Sequence, residues 1–161
     1  MAGEIGHMVV DPAGPRCLCG KRGCLERLAS GPYMARDLKE IGNNAPGPLA
    51  RDGGPTGEDV ARMAQAGDPS ARKILLRGAR ALGTAIGNAA NLINPQRFVL
   101  GGGVTKSGPA WWQAVRAAAV ETALPEIRGT FDIVSAALGD EAPLWGAHCL
   151  AREMRSEREN G

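Results

Sequence analysis

One histidine and three cysteines fall within eighteen residues near the start of the chain, in the spacing H-x9-C-x-C-x4-C. They are His7, Cys17, Cys19 and Cys24. One imidazole nitrogen and three thiolates form a complete tetrahedral ligand set for zinc. The glycines between the cysteines allow turns tight enough for three sulfurs to face one ion. Because all four ligands come from protein, we predict a structural zinc site that shapes the loop 7–24 and is not itself the catalyst.

Cysteines can also be buried apolar residues or disulfide partners. Four potential ligands at such short spacing favour a metal site over both alternatives. Zinc thiolates require reduced cysteines, which predicts a cytoplasmic location. The fourth cysteine, Cys149, lies in an apolar helical pattern near the end of the chain, and we predict that it packs in the core.

Two carboxylates flank the predicted metal loop, Glu4 on one side and Glu26 on the other. Ionised carboxylates accept hydrogen bonds from sugar hydroxyls. If one nitrogen of His7 binds the metal, the other carries a proton and donates, and the metal fixes its orientation. These groups predict a site for a ligand rich in hydroxyl groups. The alternative for Glu26 is an acid placed at a helix N-terminus, where the helix dipole favours it.

The length and charge of the chain limit its class. At 161 residues it is predicted to form a single domain. A net charge of +2 argues against a nucleic-acid partner or an anionic membrane surface. No apolar run approaches the roughly 20 residues that span a bilayer, and the first residues do not resemble a secretory signal.

The first half of the chain is predicted to be mainly helical. Residues 6–10 have the composition of a short strand, residues 25–29 of a short helix, and residues 30–41 of a helix with Pro32 in its first turn. Glycine, proline and asparagine predict a flexible loop over 42–55.

Capping residues mark the next two helices, which we predict over 57–66 and 69–92. Thr56 with Asp59 forms a capping signature for the first, and Asp68-Pro69 opens the second. The long helix contains Gly78, Gly83 and Gly87. Glycine lowers helix propensity, so these positions predict close approach of another backbone.

Strands and helices alternate in the last part of the chain. We predict strands over 97–100 and 131–135, helices over 109–124 and 142–154, and a charged, frayed tail over 155–161. Helices alternating with short apolar strands indicate an α/β fold. Between the first of these strands and its helix lie three glycines, 101–103, which suit a nucleotide contact. Taken alone, these glycines are better explained by a tight strand-to-helix turn, because the Rossmann and Walker A spacings are absent.

Residues 3–7, G-E-I-G-H, and residues 17–30, C-x-C-G-x-x-G-C-L-E-x-x-x-S, resemble the ROK family of bacterial sugar kinases and sugar-responsive repressors. The resemblance implies that the histidine and three cysteines bind zinc and that Glu4, His7 and Glu26 hydrogen-bond the sugar. Residues 94–104 resemble the segment that lines the adenosine side of ATP, which implies nucleotide contacts at Gly102 and Gly103. Residues 56–76 and 138–151 resemble the glucokinases of the family.

The same resemblance implies an actin-like, ribonuclease-H-like ATPase fold, of which residues 1–161 are one partial domain, the C-terminal lobe. The family's D-x-G-G-T phosphate loop and catalytic aspartate have no counterpart here; the nearest match, R-D-G-G-P-T at 51–56, contains a proline. We therefore expect the first strands of the lobe to be missing, with Met1 an internal start, a split-gene boundary or the end of a truncation.

The function implied is that of the C-terminal part of an ATP- and Mg²⁺-dependent hexose kinase, which phosphorylates glucose at its 6-hydroxyl. This chain alone is expected to be inactive, and the full-length protein is expected to be a homo-oligomer. The alternative is the sugar-sensing domain of a ROK repressor, and a third interpretation is a zinc-stabilised binding module.

Overall fold

In a computed structural model that describes residues 3–42 and 54–159, the chain forms six α-helices and two β-strands. The helices are α1 (Leu25–Ala29), α2 (Gly31–Gly42), α3 (Gly57–Gln65), α4 (Pro69–Ile93), α5 (Pro109–Thr122) and α6 (Ala142–Glu159), and the strands are β1 (Arg97–Leu100) and β2 (Asp132–Ser135). The predicted α/β class is confirmed. The predicted loop 42–55 lies mostly outside the described residues.

Helix α4 is the centre of the fold, and helices α1, α2, α3 and α5 all pack against it. Its ends are set by local chemistry. The Asp68 carboxylate accepts a hydrogen bond of 2.7 Å from the Ala71 N–H, and Pro69 occupies the first turn. At the other end Asn94 adopts a left-handed conformation with φ of 43°, which stops the helix. The predicted bounds are therefore correct to one residue.

The glycines of α4 lie where neighbouring backbones come close. A Cβ on Gly83 would lie 2.3 Å from the carbonyl oxygen of Val115, and one on Gly87 would lie 2.7 Å from that of Ala119, both on α5. A Cβ on Gly78 would lie 2.9 Å from the carbonyl oxygen of Leu28 on α1. The predicted close packing is confirmed, and it lets α4 hold α1 and α5 at short distance.

Two hydrophobic clusters include residues of α4. The larger joins α2, α3, α4, α5 and β2, and its most buried large members are Met34, Val60, Trp111 and Val115. The smaller joins α1 to α4 through Leu25, Leu28, Ala81 and Ala85. This second cluster holds the short helix that follows the cysteine loop.

The two strands pair in parallel, with Arg97 opposite Asp132 and Leu100 opposite Ser135. Helix α5 connects them, as expected for parallel neighbours. The predicted strand over 6–10 is wrong. Residues Ile5–His7 form a 3₁₀ turn, because the His7 N–H donates to the Glu4 carbonyl and the Met8 N–H to that of Ile5. Only a single bridge, Val9 to Cys24, remains of strand pairing there.

Helix α6 extends away from both clusters. It continues to Glu159, five residues beyond its predicted end, so the part of the predicted 155–161 tail that is described is helical. Cys149 is exposed, and its predicted core position is wrong. The apolar pattern of α6 does not face the core: Leu144 is 73% exposed, and Trp145 and Leu150 are also exposed. No helix in the described part of the chain is long and apolar enough to cross a membrane.

Candidate functional site

Backbone hydrogen bonds fold the loop 7–24 back on itself. Two antiparallel bridges, Val9 to Cys24 and Arg16 to Arg22, bring its arms together. At the tip, the Cys17 N–H donates to the Lys21 carbonyl at 2.8 Å, and the Cys17 carbonyl accepts from the Gly20 N–H at 3.0 Å. These bonds place all three loop cysteines on one side of the turn. We call residues 7–24 the metal loop.

Gly23 is the most constrained glycine of the metal loop. Its φ is +64°, and a Cβ there would lie 1.5 Å from the carbonyl oxygen of Asp11. The Gly23 carbonyl also accepts from the N–H groups of both Val10 and Asp11. Only glycine allows the two arms to cross at this distance.

The metal loop brings the four predicted ligands together. Their ligand atoms all lie within 4.8 Å of one another, and the cysteines form no disulfide in the described structure. The His7 Nδ1 lies 3.9 Å from the Cys17 Sγ, and the Cys19 Sγ lies 3.5 Å from the Cys24 Sγ. Zinc–sulfur bonds of about 2.3 Å separate two thiolates of a tetrahedron by roughly 3.8 Å. The donor set therefore fits a tetrahedral soft cation.

The thiols have contrasting electrostatic surroundings. Burial first, and then the hydrogen bonds with Cys19 and Cys17, raise the pKa of Cys24 to about 11. The exposed Cys19 thiol has a lowered pKa, chiefly because the Lys21 N–H donates to it. A buried thiol of this kind becomes a thiolate when a cation is bound beside it. Metal binding would thus release a proton from the loop.

Glu26 lies directly beside the metal loop, in the first turn of α1. Its carboxylate Oε2 is 3.6 Å from the His7 Nδ1, and both side chains are partly exposed. A Cβ on Gly6 would lie 3.4 Å from the Cβ of Glu26. The lack of a side chain at Gly6 therefore leaves room for the Glu26 side chain beside it. The predicted pair His7 and Glu26 is thus brought together. Glu4 is exposed and begins the 3₁₀ turn that leads to His7.

A cleft of about 680 Å³ opens beside these groups, and we call it the metal cleft. His7 and Glu26 line one side, and Tyr33 and Arg36 of α2 line the other. Glu4 is not among the described residues that line it. No sequence motif predicts Tyr33 or Arg36 as site residues, although Tyr33 is the only tyrosine of the sequence and Arg36 follows it by about one helical turn.

A second cleft, of about 860 Å³, lies at the glycine turn, residues 101–103, and we call it the glycine cleft. Gly103 lines it together with the basic Arg36 and Lys39 of α2 and the acidic Glu58 of α3. Gly102 is not among the described residues that line it. The start of α3 closes a third side with Thr56. Arg36 lines both clefts, so they meet at α2.

The two predicted nucleotide-contact glycines differ in what the fold requires of them. Gly102 has φ of 90° and ψ of 171°, a conformation essentially restricted to glycine. Gly103 has no such conformation, and a Cβ there would meet nothing within 4 Å. The backbone alone therefore accounts for Gly102, whereas no feature of the fold requires glycine at position 103.

Comparison with known proteins places these features in a family. The chain matches the ROK family over residues 1–154. The glucokinase of Halalkalibacterium halodurans is 37% identical over 167 residues, which cover 100% of this chain and 51% of that protein. The glucokinase of Thermotoga maritima is 33% identical, covering 93% of this chain and 49% of that protein. The N-acetylglucosamine repressor of Escherichia coli O6:H1 is 31% identical, with coverages of 93% and 37%.

Solved structures agree. The ROK family glucokinase of Streptomyces griseus, in complex with glucose and AMPPNP, aligns with a TM-score of 0.75 at 33% identity, covering 94% of this chain and 52% of that one. The ROK hexokinase of Thermus thermophilus aligns with a TM-score of 0.73 at 34% identity, covering 91% and 46%. The chain thus spans about half the length of the kinases it matches.

Proposed function

Because the chain belongs to the ROK family, we propose that it is the hexose-binding part of an ATP-dependent sugar kinase of the glucokinase type. The observation that carries the proposal is the convergence of His7 and Glu26 beside a Cys₃His cluster at an open cleft. The sugar kinases among its relatives support the reaction class. The preferred acceptor is glucose, and the group phosphorylated is its 6-hydroxyl.

Zinc would be held by His7, Cys17, Cys19 and Cys24, and would be structural. When bound, it fixes the metal loop and strengthens the remaining ring N–H of His7 as a donor. The Nδ1 atom of His7 lies 3.9 Å from the Cys17 sulfur, and we take it as the metal-binding nitrogen. The other ring nitrogen is then the donor to a sugar oxygen.

Glu26 and Glu4 supply the acceptors for sugar hydroxyls. Glu26 is held close to His7, so the two can bind neighbouring hydroxyls of one ring. Glu4 is exposed three residues before His7 and would join them from the edge of the turn. A donor beside two acceptors matches the alternating hydroxyls of a hexose.

ATP with Mg²⁺ would occupy the glycine cleft. Gly103, which lines this cleft, and the adjacent Gly102 would approach the nucleotide through their backbone, and Arg36 and Lys39 of the cleft suit an anionic ligand. The glycine cleft meets the metal cleft at Arg36, which suits transfer between two bound substrates. The general base and the phosphate loop would come from a further lobe.

The chain alone is therefore expected not to phosphorylate sugar. No aspartate of the chain has the sequence context of a phosphoryl-transfer base, and the loss of such a group and of the phosphate contacts costs many orders of magnitude in rate. A coupled assay with ATP, Mg²⁺ and glucose tests this, run with and without the separately expressed N-terminal half of a related glucokinase. Turnover only with the added lobe supports the proposal, whereas robust turnover by the chain alone contradicts it.

The sugar site is tested by Glu26→Gln, which removes the charge and keeps the shape. Charge-assisted hydrogen bonds contribute about 1.5–3 kcal/mol, so the dissociation constant for glucose should rise roughly tenfold or more. The control is Glu121→Gln, which removes the exposed Arg80–Glu121 ion pair, neither member of which lines the metal cleft or the glycine cleft. Equal glucose affinity of the two variants, by titration calorimetry, would show that Glu26 is only a helix-start acid.

A second candidate function is supported by the regulators among the relatives. The N-acetylglucosamine repressor covers 93% of this chain, so a sugar-sensing domain fits the same alignment. The expectation that nucleic acid is not a partner is therefore not supported. The coding sequence upstream of residue 1 would separate the two functions, because a phosphate loop there indicates a kinase and a helix-turn-helix there indicates a repressor. Light scattering of the full-length protein tests the expected homo-oligomer.

A further inference from the structure

A buried ion pair lies directly behind Glu26. The guanidinium of Arg27 donates two hydrogen bonds to Asp37 of α2, from Nη2 to Oδ1 at 2.7 Å and from Nη1 to Oδ2 at 3.1 Å. Arg27 is 5% exposed and Asp37 is 8% exposed. Taking such a pair out of water is costly, and hydrophobic replacements are often as stable. Stability alone does not explain why α1 is held to α2 by charge.

Asp37 also binds a third helix. Arg77 of α4 donates to its Oδ2, so one carboxylate joins α1, α2 and α4. Burial works to raise the pKa of Asp37, but the hydrogen bonds from Arg27 and Arg77 outweigh it and hold that pKa below its usual value. The carboxylate is therefore ionised at neutral pH, and both arginines have a charged acceptor.

Tyr33 connects this ion pair to the metal loop. The Arg27 guanidinium lies over its ring, 4.9 Å from the centroid. The Tyr33 hydroxyl accepts a hydrogen bond of 3.4 Å from the N–H of Leu18, the residue between two of the metal-ligating cysteines. A continuous path of contacts thus runs from Leu18 through Tyr33 and Arg27 to Asp37.

The geometry of α1 makes this path relevant to the site. The helix has only five residues, too few to be stable alone, so neighbouring groups must set its orientation. Cys24 precedes it, and Leu25 and Leu28 anchor its apolar face against α4. Glu26 projects from the opposite side toward His7. Rotation of this single turn would move the Glu26 carboxylate away from the imidazole.

We infer that Arg27, Asp37 and Tyr33 are positioning residues, which hold Glu26 against His7 and fix the metal loop on α2 without touching the sugar. The inference rests on the proposed sugar site for its effect on hexose binding. Its effect on the metal loop is independent of that function. The three residues would act on binding of glucose and on retention of zinc together, because one network contacts both α1 and Leu18.

Two variants of the zinc-loaded chain test this. Asp37→Asn keeps the shape of the side chain and removes the acceptor charge. We expect zinc transfer to a chromogenic chelator to become roughly tenfold faster, as is typical when partners of metal-site residues are changed, and glucose affinity to fall roughly tenfold. Tyr33→Phe keeps the ring beneath Arg27 and removes only the acceptor for Leu18. It should speed zinc release about three- to tenfold, the effect of one hydrogen bond.

Glu121→Gln is the matched control, because Glu121 joins two helices through an exposed ion pair. It should leave zinc release and glucose affinity unchanged. The inference is overturned if folded Asp37→Asn releases zinc at the unsubstituted rate. Should Asp37→Asn fail to fold, Tyr33→Phe decides, and unchanged zinc release in that variant overturns the inference. If the unsubstituted chain binds no glucose, the proposed sugar site fails, while the zinc-release comparison still tests the network.

Discussion

The metal loop, residues 7–24, and the glycine turn, residues 101–103, differ in the groups that they present: side chains converge in the metal loop, whereas the glycine turn exposes backbone. The metal loop contains almost no regular structure, yet four ligand atoms meet within 4.8 Å in it. The glycine turn follows β1 as part of a regular strand–turn–helix unit, and backbone geometry alone accounts for Gly102. Converging side chains are therefore direct evidence for a chemical site. A run of glycines is evidence for one only at positions where the backbone conformation does not itself require glycine.

The two regions also differ in what holds them. Next to the metal loop, Arg27 of α1, Asp37 of α2 and Arg77 of α4 form an ionic network around the buried Asp37 carboxylate. At the glycine turn, the Thr105 hydroxyl donates a local hydrogen bond of 2.7 Å to the Gly102 carbonyl, and the longer-range contact nearby, between Lys106 and Asp140, is an exposed ion pair. Substitutions in the metal loop should therefore have long-range effects, and substitutions at the glycine turn should have local ones.

The largest effect is expected from removal of metal ligands. The chain purified without added metal should contain close to one equivalent of zinc by elemental analysis. The double variant Cys17→Ser, Cys19→Ser should lose it and disorder the loop, because structural zinc sites contribute on the order of 10 kcal/mol to local folding.

The control for this experiment is Cys149→Ser, since Cys149 is exposed on α6 and lies outside the ligand cluster. It should retain the full zinc content and the same hydrogen-exchange protection in residues 7–24. Full zinc occupancy in the double variant would contradict the ligand assignment.

A smaller but still large effect is expected for Gly23→Ala. The φ of +64° alone costs an alanine about 1–2 kcal/mol. The clash with the Asp11 carbonyl adds to this, because the backbone itself must move. Thermal unfolding should show a destabilisation well above that of Gly20→Ala, which has φ of +90° in the same loop but open space around it. Equal destabilisation of the two would show that conformation, and not the crossing of the arms, explains Gly23.

Local chemical signals made the helix starts, and the convergence of the histidine and three cysteines of the metal loop, predictable from sequence. Thr56 and Asp59 form the predicted capping box, with hydrogen bonds of 2.9 and 3.2 Å between them. The pairing of Arg27 with Asp37 was not predictable in this way, because two charges ten residues apart carry no local pattern. The exposure of Cys149 was not predictable for a related reason. The sequence pattern of an apolar helical face is the same whether that face is buried in the core or exposed.

A modest, pH-dependent effect is expected at the start of α3, which borders the glycine cleft. Hydrogen bonds from Arg62, and then from Thr56, lower the pKa of Asp59 to about 2 from 3.8. Because the unfolded chain takes up this proton at higher pH, the contribution of Asp59 is complete above about pH 4 and is lost toward about pH 2. Capping interactions contribute about 1 kcal/mol.

Urea unfolding of Asp59→Asn measures this contribution. The variant should be less stable than the unsubstituted chain at about pH 6, and the difference should shrink as the pH approaches about 2. A difference that stays constant over that range would mean that the Asp59 charge has no part in the capping box.

The smallest effect on stability is expected for Gly103→Ala, and for that reason it is the sharpest test of the glycine turn. A Cβ at Gly103 would meet nothing within 4 Å, and the residue begins a short 3₁₀ helix, so stability should change by less than about 0.5 kcal/mol. If the nucleotide packs against this backbone, the methyl group would be forced into it at a cost of about 1–3 kcal/mol, and AMPPNP affinity should fall roughly tenfold.

Gly129→Ala is the matched control, because a Cβ at Gly129 also meets nothing within 4 Å and the residue does not line the glycine cleft. Titration calorimetry with AMPPNP should therefore separate the two alanine variants while thermal unfolding does not. If the Gly103→Ala and Gly129→Ala variants bind AMPPNP with the same affinity, residues 101–103 serve only to reverse the chain direction and do not contact the nucleotide.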